Sequence, residues 1–364
     1  MNVTPARVLM TADAVGGVWT YTLELARGLS ARGLRVAVAT MGPRPSPSQR
    51  SDALAISGVS LHESDFRLEW MDDPWEDVDR AGPWLLALER DFVPDVVHLN
   101  GYCHGVLPFR APALVVGHSC ILSWFEAVKE QPAPAQYRKY AHSVRRGLHA
   151  ASLVVAPTHA MLAALQRHYG PLRSTLAIHN GRDPGKFRAG KKEPFVLAAG
   201  RLWDEAKNLR ALETAAADLP WPVCVAGYAR HPDGGGIEAS AVELLGAMAP
   251  HKLAAEMARA SIYALPAFYE PFGLSVLEAA LSGCALVLGA IPSLRELWAG
   301  CAEFVDPSDR GSLAAALRRL IEDEQLRARL ARVAFSRATA LSAARMTEEY
   351  LRAYGAIAAQ AEVA

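Results

Sequence analysis

Cysteine is sparse and unpaired in this 364-residue chain. The five that occur, Cys103, Cys120, Cys224, Cys284 and Cys301, are scattered and odd in number, and no C-x-x-C exists. They read as small core residues in a reducing compartment, not as a disulfide or zinc framework. An excess of charge of one sign is missing as well, since Lys plus Arg and Asp plus Glu both total 38. That balance gives no case for nucleic acid as a partner. Nowhere do 18 apolar residues run together, and the start of the chain lacks a charged segment followed by an apolar core. Neither a spanning helix nor a signal peptide is expected, so the chain reads as cytoplasmic. The 11 histidines include no H-x-x-x-H pair. One D-x-D occurs, Asp77-Val78-Asp79, in an acidic, Trp-rich stretch that follows no expected strand. It reads as an exposed loop or helix start, and no metal site is expected.

What is present is a large apolar fraction, 51%, with 21% charged residues. Such a composition supports folded cores, and the length suits two domains. Strand and helix signals alternate along the chain, the pattern of parallel α/β sheets. Strands are expected at 6–11, 34–40, 95–99, 113–116, 152–156 and 175–178. A second series is expected at 195–200, 223–227, 261–265 and 285–288, with helices from Ser312 onward. The Pro- and Ser-rich segment 41–51 reads as loop. A Gly, Pro, Lys and Arg-rich segment, 180–193, reads as a linker. Ligands of such sheets bind at the carboxyl ends of strands.

The most informative segment is Tyr269-Glu270-Pro271-Phe272-Gly273-Leu274-Ser275-Val276-Leu277-Glu278. It follows the expected buried strand Ser261–Leu265 and enters a helix near Gly273, closed by Gly283. The helix start offers free N–H groups to an anion, and the two acids flank it. A ligand with a central phosphate and hydroxylated rings at both ends fits this arrangement.

Glu270 and Glu278 match an E-x7-E motif, and the Glu-Pro-Phe-Gly-Leu-Ser wording resembles the retaining GT-B glycosyltransferases of family 4. The resemblance covers nearly the whole chain. It implies two Rossmann-like, doubly wound parallel-sheet domains facing a central cleft. Residues 1–185 would form the acceptor-binding domain and 190–340 the nucleotide-sugar donor domain. The C-terminal helix, 341–364, would pack back toward the first. Gly200-Arg201-Leu202 and Lys207-Asn208 resemble the family's Gly-Arg-Leu…Lys-Asn motif, whose Arg and Lys bind the donor diphosphate. Two cations at a strand end suit that task. By the residues alone, Arg201 could instead pair with Asp204 or Glu205, and Lys207 could start a solvated helix.

Gly16 and Gly17 follow the first strand and resemble the family's loop beside the diphosphate and acceptor. His118 ends the strand Leu114–Gly117; the family has a histidine there near the transferred sugar, and a core or capping histidine is the alternative. Asn180-Gly181-Arg182-Asp183 resembles the Asn-Gly-x-Asp motif, and Met248 lies where relatives cradle the base. The resemblance implies donor contacts from Gly16, Gly17, Asn180, Arg201, Lys207, Met248, Glu270, Gly273, Leu274, Ser275 and Glu278. Catalytic roles fall to His118, Glu270, Arg201 and Lys207. The implied partners are a nucleotide sugar, by default UDP-hexose with GDP- and ADP-sugars open, and a hydroxyl-bearing acceptor. No cofactor and no metal are implied. A nucleotide-sugar 2-epimerase and a non-catalytic binding module are the rivals. The basic helix 135–150, with Arg138, Lys139, Arg145 and Arg146, allows peripheral contact with anionic lipid. Trp70, Trp75, Trp84 and Trp124 could stack an acceptor or lie in the core.

Overall fold

The computed structural model describes residues 5–228, 240–309 and 311–363. The chain divides into two compact units. One comprises Met1–Glu126, Gln131–Gly181 and Ala343–Ala364; the other comprises Ala127–Glu130 and Arg182–Ser342. The division falls at Gly181, close to the expected end at 185, and the C-terminal helix Ala343–Val363 belongs to the first unit.

The first unit is built on seven strands: β1 (Arg7–Asp13), β2 (Arg35–Met41), β3 (Val59–Glu63), β4 (Val96–Leu99), β5 (Ala113–Val116), β6 (Leu153–Ala156) and β7 (Thr175–Ala177). Their spatial order is β3-β2-β1-β4-β5-β6-β7, and all pairs are parallel. Apolar runs such as Val8-Leu9-Met10 are buried on both faces, as a parallel sheet covered by helices requires. Val8, Met10, Val36, Val38 and Leu114 face one core with the helix Gly17–Ser30 and Tyr350 and Tyr354 of the C-terminal helix. Leu9, Ala37, Val97, Val115 and Val154 face the other, under Leu85, Val144 and Leu165. The C-terminal helix packs so closely on Gly17–Ser30 that a Cβ on Gly28 would lie 2.0 Å from Thr347 Oγ1.

The second unit has β8 (Glu193–Arg201), β9 (Val223–Tyr228), β10 (Glu243–Gly246), β11 (Ala260–Leu265), β12 (Ala285–Gly289) and β13 (Glu303–Val305). Their order is β10-β9-β8-β11-β12-β13, again all parallel. Leu197, Tyr263, Leu286 and Leu288 pack against the helices Pro250–Arg259, Leu274–Leu281 and Pro292–Trp298. Val196, Val225, Ile262 and Val287 pack against Leu209–Ala216 and Ser312–Glu322. In each sheet the direction of winding reverses at a switch point, between β1 and β4 and between β8 and β11. Loops at the carboxyl ends of those strands are the places where open α/β sheets bind ligands.

One local expectation is corrected. Segment 41–51 is not all loop: a helix, Pro47–Leu54, starts inside it, closed by a capping box between Ser46 and Gln49. Asp77 falls in the first turn of the helix Trp75–Phe92, in keeping with the expected helix start, and there it accepts from the Arg67 amide and faces Arg80. Among the described residues, no helix is long and apolar enough to cross a membrane.

Candidate active site

In the second unit the chain leaves β11 at Leu265, crosses Pro266–Gly273 and enters the helix Leu274–Leu281. Gly273 sits at the helix N-cap with φ of 86°, a left-handed conformation that favours glycine. Glu270 folds back over this start. Its Oε1 accepts from the N–H groups of Gly273 (2.9 Å) and Phe272 (3.3 Å), and its Oε2 lies 2.7 Å from Lys207 Nζ. Burial opposes ionisation of Glu270, but the Lys207 ammonium, the Phe272 amide and the Arg201 charge outweigh it and hold the carboxyl below its usual range. The Gly273 N–H, at the helix start expected to offer free N–H groups, is therefore occupied by Glu270. Among the described residues the N–H groups of Leu274 and Ser275 have no protein acceptor.

Lys207 reaches Glu270 because the chain turns sharply after β8. Asp204 Oδ1 accepts from the Ala206 amide, and Asn208 adopts the left-handed region with φ of 56°. The Asn208 side chain donates to the carbonyls of Pro266 (3.0 Å) and Pro307 (2.8 Å). The second half of the Lys-Asn pair thus fastens the turn to the exit of β11. Arg201, at the end of β8, pairs with Asp204 at 3.1 Å and lies over the Trp203 ring at 5.3 Å. It is 43% exposed and acts on Glu270 through charge without touching it. Lys207 is not a solvated helix start: it is 16% exposed and buried against its partner.

Glu278 points from the same helix and forms an ion pair with Arg182, Nε to Oε1 at 2.8 Å, both side chains largely buried. Arg182 also covers the Phe187 ring at 5.3 Å. Met248 follows β10 and packs against the core that contains Phe272. In this unit Lys207, Glu270 and Gly273 come together at one helix start, Leu274, Ser275 and Glu278 lie on that helix, and Arg201 is near enough for its charge to act on Glu270.

In the first unit, Gly16 ends the turn after β1 with φ of 76° and Gly17 opens the helix, both exposed. The neighbouring strand ends carry Asn100 after β4 and His118 after β5, with His118 Nε2 2.8 Å from Asn100 Oδ1. Asn180 follows β7 at the far edge of the sheet, with its side-chain oxygen buried and unpartnered among the described residues. Arg138, Lys139, Arg145 and Arg146 are all exposed on Arg138–Ala150, and Lys139 lies 4.7 Å from the Trp75 ring. Trp75 and Trp84 lean on the core, whereas Trp70 is 42% exposed.

Comparison with known proteins follows this division. The Glycosyltransferase Family 4 description matches residues 15–186, and Glycosyl transferases group 1 matches 181–337. The chain belongs to the GT-B glycosyltransferases of family 4. A glycogen synthase from Mycobacterium tuberculosis is 26% identical over 373 residues, covering 89% of this chain and 87% of the relative. Among solved structures, a sucrose-phosphate synthase from Thermosynechococcus elongatus superposes with a TM-score of 0.77 at 21% identity, covering 96% and 99% of the two chains. Anabaena HepE in complex with UDP-glucose gives 0.74 at 18%, covering 95% and 98%.

Several residues of this glycosyltransferase site were not singled out by its sequence. Arg182 was visible as the variable position of Asn-Gly-x-Asp, but its pairing with Glu278 depends on the fold. Asn100 carried only the signal of a polar residue directly after a buried strand. Ser293, whose hydroxyl donates to the Glu270 carbonyl, carried none.

Proposed function

We propose that this glycosyltransferase moves a hexose from a UDP-sugar to an acceptor hydroxyl, with retention at the anomeric carbon and without a metal ion. The observation that carries the reading is the helix start at Gly273, where Lys207 and Glu270 are paired and the Leu274 and Ser275 amides remain open. An anion placed there meets the positive end of the helix and two cations, Lys207 and Arg201. Those groups take up charge as the diphosphate leaves, the task a divalent ion performs elsewhere. Glu270 binds hydroxyls of the transferred sugar and Glu278 those of the ribose; His118 also contacts the sugar. The acceptor attacks from the face the diphosphate leaves, and a phosphate oxygen takes its proton. The UDP-glucose bound by the Anabaena protein supports the donor class.

The test is a donor-hydrolysis screen across UDP-, GDP- and ADP-sugars, run with EDTA, followed by mass spectrometry with pooled acceptors. UDP release and hexose transfer are expected. Turnover of GDP- or ADP-sugars alone would overturn the donor, and loss on chelation restored by Mg²⁺ would overturn metal independence.

A further inference from the structure

The polar cluster at the ends of β1, β4 and β5 has a hydrogen-bonding order that its partners dictate. Asn100 Nδ2 lies 2.7 Å from the Thr11 carbonyl oxygen, which can only accept. The amide nitrogen therefore faces Thr11, and Oδ1 faces the histidines. That oxygen is 2.8 Å from His118 Nε2 and 3.1 Å from His98 Nε2. An amide oxygen also only accepts, so each Nε2 carries a hydrogen. His98 Nδ1 is then bare and accepts from the Tyr354 hydroxyl at 2.6 Å. Tyr354 belongs to the C-terminal helix, and the Tyr21 ring packs edge-on against His118 with centroids 4.6 Å apart.

Both imidazoles are neutral. Burial pushes His98 down to about 3, and His118 likewise, although His118 keeps part of its surface toward water. A neutral ring with hydrogen on Nε2 has its lone pair on Nδ1. Among the described residues none makes a hydrogen bond to His118 Nδ1.

We propose that Asn100 is a positioning residue that locks His118 in the Nε2–H tautomer, so that His118 offers Nδ1 as an acceptor. Such a histidine takes a hydroxyl of the transferred sugar and rejects a carboxylate at the same place. The second half rests on the reading of His118 as a sugar contact.

The experiment is two-bond proton–nitrogen NMR of the full chain labelled with [15N]histidine, with His118→Gln used to assign the His118 signals. Two separate nitrogens are expected for His118, a protonated Nε2 and a bare Nδ1, without averaging between tautomers. In Asn100→Leu the signals should average or exchange roles, and kcat/KM for the UDP-hexose should fall about tenfold, with UDP affinity unchanged. A protonated Nδ1, an averaged wild-type spectrum, or an Asn100→Leu spectrum like wild type would overturn the lock. The wild-type spectrum decides this even if the variant does not fold. A locked tautomer with full transfer by both variants would overturn the sugar contact alone.

Discussion

Lys207 Nζ stands 2.7 Å from Glu270 Oε2, at the start of the helix Leu274–Leu281. The pair is shielded from water, with 16% and 17% of the two side chains exposed. Replacing Lys207 or Arg201 by Ala is expected to cost about 2–4 kcal/mol of transition-state stabilisation. Lys207→Ala should be the more damaging, because it also leaves Glu270 buried without its counter-charge. Steady-state kinetics of the two variants check this; unchanged turnover in both would contradict it.

The two acids are expected to separate in their effects. Glu278→Gln should mainly weaken UDP binding, since Glu278 is assigned to the ribose. Glu270→Gln should mainly slow transfer. Because Glu278→Gln removes the charge that faces Arg182 in their ion pair, Arg182→Gln should lower UDP affinity in the same direction. Calorimetric UDP titration and single-turnover kinetics separate the two. Equal losses of binding and rate in both Glu variants would refute the division.

Much of the sheet architecture was legible because buried parallel strands are written as apolar runs. Val8-Leu9-Met10 and Ile262-Tyr263-Ala264-Leu265 need no context to be read. The strands that were missed lie at sheet edges. Val59–Glu63 is only half-buried along its length, and Glu243–Gly246 is mostly exposed, so neither shows a hydrophobic run. The helix Pro47–Leu54 buries only Ala53, which leaves no amphipathic stripe to detect. In the candidate site, Lys207, Glu270 and Gly273 meet at one helix start, and each had been singled out because it lies in a short local motif. Asn100 and Arg182 were not, since each takes its role from partners that are distant in sequence.

Stability should depend on pH through His98. Its folded pKa, about 3, lies below the ordinary 6.5, so the unfolded chain binds more protons between those values. Stability is therefore full above pH 6.5 and falls as pH drops through that window, by up to about 1.4 kcal/mol per pH unit for this one group. Melting temperatures from pH 7.5 to 5 should decline, and less steeply in His98→Asn. Equal slopes in both proteins would remove His98 from the explanation.

The C-terminal helix should be sensitive at Gly28. A methyl there collides with Thr347 Oγ1, so Gly28→Ala is expected to destabilise by about 1–3 kcal/mol. Thr347→Ala in the same chain should recover part of the loss, because the two positions are in contact. Urea unfolding of the single and double variants gives the coupling; strictly additive effects would argue against close packing there.

Retention at the anomeric carbon is the central claim, and proton NMR of the freshly formed product tests it most directly. With UDP-α-glucose as donor, front-side transfer predicts the small anomeric coupling of an α-linked product. The large coupling of a β-linked product would contradict it, and would require an in-line base that none of the assigned residues supplies.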